Sequence, residues 1–296
     1  MDQAARVRSW VHAFEVRLDF LAGNVEVPWD QLPLPAIATC RPPREGGHFT
    51  GPEDERLNRL RAAAWAGAAM VDVEWDAVDR LGEVPVPRIV SRHLFDRTPD
   101  DLLGLWSEVA ATGGEVVKIA TQAQTLTDAL RVCTLYQDVS RPTIAIAMGP
   151  AGIISRLLAL AHASGFLTYV AVTEKPVAAP GQVHAREMVD RFAADRIRAG
   201  ARCYGYLAPD ALTTPLIYRV NSTWRRQWIA SVLLPLPLTP EDNLEAVLQL
   251  AWPAGLHGVW MPRSVAARWG VRLAGEGGWV YPDGRIGETP IEAPET

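Results

Sequence analysis

The chain has 296 residues, 48% hydrophobic and 21% charged, the composition of an ordinary globular protein with room for one large domain or two smaller ones. Its formal charge of −5 gives no basic surplus for nucleic acid or an anionic membrane. Cys40, Cys133 and Cys203 lack metal-ligand spacing, Met1–Trp10 is polar rather than a leader, and no run approaches the roughly 20 apolar residues of a membrane span, so a reducing cytoplasm is the expected setting.

In chain order, Ala4–Ala13 reads as a helix. Seven short apolar runs follow: Ala13–Asp19, Ala36–Arg41, Met70–Trp75, Arg88–His93, Glu115–Ala120, Pro142–Met148 and Leu167–Val172. Four are near-continuous apolar blocks, as parallel strands are when both faces are covered. Helical segments lie between them. Glu53–Ala69 sets Leu57, Leu60, Ala64 and Ala68 on one face; Thr98-Pro-Asp-Asp has the form of a helix start, with an N-cap and a first-turn proline. Thr125–Asp138, Gly152–Ser164 and Ala185–Ala199 complete the series. This alternation predicts an α/β domain with a parallel sheet.

A repeat of about 25 residues per unit suits a (β/α)8 TIM barrel. The rival, a doubly wound open sheet, usually carries a glycine-rich loop after its first strand, and the sequence has none. Glu15, Arg41, Glu74, His93, Lys118 and Met148 fall within or at the C-terminal ends of six strands, where a barrel gathers its active site. Seven strands are one short of eight: the strand before the first helix is missing from this sequence. An overlooked upstream start and a barrel truly short of a strand both account for that.

Lys118 is unusual. Of 29 basic residues only Lys118 and Lys175 are lysines, and Lys118 sits inside the apolar run Glu115–Ala120. Arginine supplies charge but cannot become a neutral nucleophile, whereas an amine can, which points to Schiff-base chemistry with a carbonyl substrate. A lysine snorkelling from a strand end is the plainer alternative.

At Thr39-Cys-Arg-Pro-Pro-Arg-Glu-Gly-Gly-His-Phe-Thr-Gly the sequence resembles the type I 3-dehydroquinate dehydratase family. Further blocks match in the family's order: Glu15-Val-Arg-Leu-Asp19, Val71-Asp-Val-Glu74, Ser91-Arg-His-Leu-Phe95, Val117-Lys-Ile-Ala120, Met148 with Gly152-Ile-Ile-Ser-Arg156, and Ala179-Pro-Gly-Gln182. The resemblance covers residues 11 to about 200. It implies a barrel that removes water from 3-dehydroquinate through an imine on Lys118, with no metal and no soluble cofactor.

It also implies roles for individual residues. His93 would move the protons, and Glu45 would pair with it and orient it. Arg156 would bind the substrate carboxylate, Glu15, Arg17 and Arg41 would line the pocket, Met148 would contact substrate, and Gln182 would close over it. Glu15, Arg17 and Asp19 share one strand face, which suits a polar cavity better than a packed core. Three departures bear on affinity: Ala178 replaces a substrate-contacting serine, Ile146 replaces a methionine, and the missing first strand would end near another serine.

From Cys203 the character changes. Cys203-Tyr-Gly-Tyr-Leu-Ala-Pro-Asp-Ala-Leu-Thr-Thr-Pro-Leu-Ile-Tyr, Leu256-His-Gly-Val-Trp-Met-Pro-Arg-Ser264 and Tyr281-Pro-Asp-Gly-Arg-Ile-Gly287 resemble the substrate-binding half of shikimate dehydrogenase, fused behind the dehydratase as in the bifunctional plant enzymes. Leu212 and Thr214 stand nearest its two carboxylate-holding serines, Ser264 nearest its catalytic lysine, and Glu-Thr-Pro follows Gly287 where its aspartate belongs. The expected organisation is a barrel over 1–200, a degenerate dehydrogenase-like α/β domain over 203–291 without redox activity, and a tail over 292–296. Six tryptophans (Trp224, Trp228, Trp252, Trp260, Trp269 and Trp279) give the second segment apolar area for a core of its own, and Trp224–Trp228 reads as an amphipathic helix. The expected partner is the small-molecule substrate 3-dehydroquinate, without nucleic acid or membrane, and a homodimer stays open. A Schiff-base aldolase and a binding or assembly module without turnover are the competing readings.

Overall fold

The computed structural model describes residues 7–21, 26–172, 182–268, 270–273, 275–287 and 291. Six strands form one sheet in chain order: β1 (Phe14–Arg17), β2 (Ala36–Thr39), β3 (Met70–Glu74), β4 (Arg88–Leu94), β5 (Val116–Gln122) and β6 (Thr143–Met148). The ladders from β1 to β5 are parallel. Helices Glu53–Trp65, Val78–Leu81, Leu102–Ala111 and Leu126–Thr134 fill the crossovers that parallel strands require. The sheet is a curled half-barrel: it is the parallel α/β sheet that the run of strands and helices predicts, with six of the seven expected strands.

Alternation within the strands explains how this sheet bears charge. In β3, Val71 and Val73 point to one side while Asp72 and Glu74 point to the other, and all four are buried. In β5, Val117 and Ile119 oppose Lys118 and Ala120. The registers set Glu74 beside Ser91 and Ser91 beside Lys118, so charged and hydroxyl groups of β3, β4 and β5 fall in one row.

A second sheet has the order β11-β10-β9-β7-β8, from β7 (Arg202–Ala208), β8 (Ser231–Pro237), β9 (Leu256–Pro262), β10 (Gly277–Val280) and β11 (Ile286–Gly287). β7 lies between β8 and β9 and is parallel to both; β9, β10 and β11 run antiparallel. Trp224 and Trp279 are fully buried and meet Tyr204 edge-on at 6.0 and 5.3 Å, the preferred aromatic geometry. The chain packs as two compact units, residues 1–121 with 141–144, and residues 122–140 with 145–296. No helix among the described residues is long and apolar enough to cross a membrane.

Several expectations need correction. Leu167–Val172 forms no strand of the first sheet; it is half-exposed, and Ala171 makes an isolated parallel bridge with His184. Only Ala171 in the run is fully buried, and its bridge goes to His184 rather than to β6. The helix after β4 starts three residues later than Thr98 suggests. Asp101 caps it, accepting from Gly104 N at 2.7 Å, while the Thr98 hydroxyl is buried against Thr121 at 2.9 Å. The helix expected over 4–13 lies partly outside the described residues, and 8–13 are turn, bend and irregular chain. The helix expected over 185–199 ends at Asp190. Helix Leu216–Arg226 stops before Trp228, whose φ of 58° is left-handed and whose ring is 93% exposed.

Candidate active site

The first compact unit brings Glu15, Arg17, Arg41, Glu45, His93 and Lys118 to the polar side of the sheet. Lys118 is 5% exposed, and its Nζ lies 2.8 Å from Asp72 Oδ2. The other oxygen of Asp72 accepts from Arg41 Nη2 at 2.8 Å and from the Ser91 hydroxyl at 2.6 Å. Arg41 Nη1 donates to Ser91 Oγ and to Glu74, each at 2.7 Å. Glu74 also meets Arg56, which is bound to Glu53 and donates to the Cys40 carbonyl at 2.9 Å. Arg41, Arg56 and Lys118 thus face Glu53, Asp72 and Glu74, three cations against three carboxylates.

Such balance is what allows charge inside a sheet. Burial would raise the Asp72 pKa, but Arg41, Lys118 and the Ser91 hydrogen bond outweigh it and hold the carboxyl well below the usual range. Its stabilising contribution is therefore complete above the ordinary carboxylate pKa of 3.8 and is lost as pH falls toward the depressed value. Asp72→Asn leaves Arg41 and Lys118 facing an amide. A destabilisation of about 3–5 kcal/mol at neutral pH, read by urea denaturation, is the expected result.

The loop after β2 delivers Glu45. Its short turn Pro43–Glu45 closes on Gly46 in the left-handed region (φ 76°), and Gly47 N and Phe49 N donate to the carbonyls of Pro42 and Arg41. A Cβ on Gly47 would fall 2.0 Å from the Arg41 carbonyl oxygen, so only glycine allows this return of the chain. Glu45 Oε2 then lies 2.8 Å from His93 Nδ1 and accepts from the His93 backbone N–H at 2.8 Å. Ser91 and His93 alternate onto the same face of β4, beside Lys118 and Ala120 of β5.

Burial lowers the His93 pKa well below its usual 6.5. Arg41 and Lys118 reinforce the shift, and Asp72 offsets only part of it. Burial pushes the Glu45 carboxyl up to about 7 against the opposing pull of Arg41 and the His93 N–H. The result is a neutral imidazole, oriented through one ring nitrogen, on the strand beside a buried amine. That is the equipment for moving a proton near an imine.

At β1, Glu15 accepts from the Thr39 hydroxyl at 2.9 Å, and Arg17 makes a two-point ion pair with Asp19 at 2.8 and 2.6 Å. Asp19 also accepts from His48 N, tying β1 to the Glu45 loop.

In the second compact unit Met148 is buried at the end of β6, and Arg156 is buried in helix Ile153–Leu158. Burial lowers the Arg156 pKa to about 10. Among the described residues its guanidinium meets the Tyr169 carbonyl at 3.4 Å and no carboxylate. Gln182 is half-buried; Lys175 and Ala178 lie outside the described residues.

The family description type I 3-dehydroquinase matches residues 1–198. The chain belongs to the type I 3-dehydroquinase family. It is 34% identical over 207 residues to the chloroplastic bifunctional 3-dehydroquinate dehydratase/shikimate dehydrogenase of Arabidopsis thaliana, a match of 65% of this chain and 34% of that protein. It thus spans about a third of that relative. The 3-dehydroquinate dehydratase of Dehalococcoides mccartyi is 34% identical over 188 residues, 60% of this chain and 84% of that one.

Among solved structures, the type I 3-dehydroquinate dehydratase of Clostridium difficile, with covalently modified comenic acid, has a TM-score of 0.55 at 25% identity, covering 63% of this chain and 83% of that one. The dehydroquinate dehydratase and shikimate dehydrogenase of S. pombe AroM is alike in fold over 90% of this chain and 56% of that one, with a TM-score of 0.53 at 21% identity.

Sequence reasoning named Lys118, His93 and Glu45 but left Asp72, Ser91 and Arg56 out of the site. Asp72 carried a signal: it alternates with Val71 and Val73 and shares a face with Glu74, so a strand buried on both sides had to neutralise two carboxylates. Arg56, in an acidic helical turn, carried none.

Proposed function

We propose that the chain is a 3-dehydroquinate dehydratase acting through an imine on Lys118. The observation that carries this reading is the buried Lys118 Nζ, 2.8 Å from Asp72, on the strand beside a neutral His93 that Glu45 orients. The Lys118 amine attacks the ketone carbon, and loss of water leaves an imine. The imine withdraws electrons from the neighbouring C–H bond, and His93 takes that proton through the nitrogen Glu45 leaves available. The enamine then expels the hydroxyl group, which leaves as water on receiving the proton from His93. Hydrolysis of the imine releases 3-dehydroshikimate and restores the amine.

Arg156 is the group for the substrate carboxylate, since a buried guanidinium that meets one carbonyl among the described residues needs an anion. Arg156→Leu is expected to raise KM by about 100-fold or more with a smaller change in kcat, the mark of lost ground-state binding, in steady-state kinetics. Arg41 acts by holding Asp72 and, with Glu15 and Arg17, supplies polar groups for the substrate; Met148 and Gln182 are proposed substrate contacts.

We read residues 203–291 as a dehydrogenase-like segment without redox chemistry, because Leu212, Thr214 and Ser264 stand where its catalytic and carboxylate-binding groups belong. Incubation with 3-dehydroquinate tests the dehydratase reading. Ultraviolet absorbance of a conjugated enone should grow in; a flat trace at high enzyme concentration rejects it.

A further inference from the structure

Helix Leu126–Thr134 follows β5, and its first N–H groups have no partners inside the helix. Thr125 and Asp128 form a capping box that satisfies Asp128 N. The other two are taken from far along the chain: Asp242 accepts from Leu126 N at 3.1 Å and from Thr127 N and Thr127 Oγ1, each at 2.9 Å. It also accepts from Thr239 N and Thr239 Oγ1 at 2.9 Å. One buried carboxylate from the loop between β8 and helix Leu244–Ala251 thus receives five donors, and that helix packs on Leu126–Thr134.

From this cap the contacts lead to groups proposed above to bind substrate. Ala123 N donates to the Met148 carbonyl at 3.1 Å. Gly149 holds a left-handed φ of 90° there, and a Cβ on it would lie 3.2 Å from the Ala123 carbonyl oxygen. Ser155 Oγ accepts from Ala147 N at 2.9 Å and donates to the Gly152 carbonyl at 2.7 Å, which fixes the start of the helix bearing Arg156 to β6. Helices Leu126–Thr134 and Ile153–Leu158 also pack together.

We propose that Asp242 is a positioning residue for substrate binding, through which the segment after residue 203 sets the placement of Met148 and Arg156. The proposal rests on the dehydratase reading. It gives the dehydrogenase-like segment a task that needs no redox chemistry.

Full-length wild type, Asp242→Asn and Thr127→Val are compared with 3-dehydroquinate as substrate, well below each melting temperature. Asp242→Asn turns an amide toward the N–H donors and should raise KM about tenfold with kcat within about twofold, because small misplacement of binding groups is costly. Thr127→Val removes only the hydroxyl donor and should shift KM the same way by less. Unchanged KM in both variants, with a lowered melting temperature for Asp242→Asn, makes the cap a matter of stability alone and overturns the proposal. So does a fall in kcat at constant KM. If Asp242→Asn does not fold, Thr127→Val decides by the same criterion. Wild type that forms no enone rejects the underlying reading before any variant is compared.

Discussion

Lys118→Arg is expected to lose dehydration of 3-dehydroquinate by about 10⁴-fold or more, the scale on which a covalent nucleophile matters. Arginine keeps a positive charge toward Asp72, so the charge balance with Glu74, Arg41 and Arg56 survives in this variant. It cannot form the imine, and without it the C–H bond next to the ketone is far less acidic. Enone formation and circular dichroism measured on the same sample separate the two effects. A folded protein without turnover is the expected result; retained turnover would mean that Lys118 serves only as a charge.

His93→Asn should lower kcat by about 10²- to 10⁴-fold, the usual range for a positioned acid–base group. The pH profile carries more information. Because the His93 pKa is depressed well below 6.5, the imidazole itself stays neutral as pH falls through that value. Glu45 changes first: with its carboxyl raised to about 7, it is ionised above that pH and accepts from His93 Nδ1–H, whereas below it the carboxyl is protonated. Wild-type kcat/KM is expected to fall as pH drops through about 7, and Glu45→Gln should lack that limb while keeping a lowered plateau. The stability effect of Glu45 has the opposite sign to that of Asp72. A carboxyl whose folded pKa lies above its usual 4.5 favours the fold at low pH and loses that contribution as pH rises through about 7.

The alternating strands and helices announced a parallel sheet, and β2 to β6 fall where their apolar runs lie. Residues 167–172 misled because an apolar run records what a strand would bury, not which neighbour it pairs with: Ala171 bridges His184. Thr98 misled because three candidate caps stand in four residues, and geometry chose Asp101. Lys118 stood out as one of two lysines, and His93 and Glu45 followed from the family's motifs. The charge relay behind Lys118 was harder to read. Asp72 touches Arg41 from 31 residues away and Lys118 from 46, distances that only the side-by-side pairing of the strands removes. Asp242 capping a helix 115 residues earlier left no local trace.

The most direct measurement of the central claim is borohydride reduction in the presence of 3-dehydroquinate, followed by peptide mass analysis. A substrate-derived mass increase on the peptide containing Lys118, missing when substrate or borohydride is omitted, is the result the account predicts. An adduct on Lys175, or no adduct while the enone still forms, would contradict it.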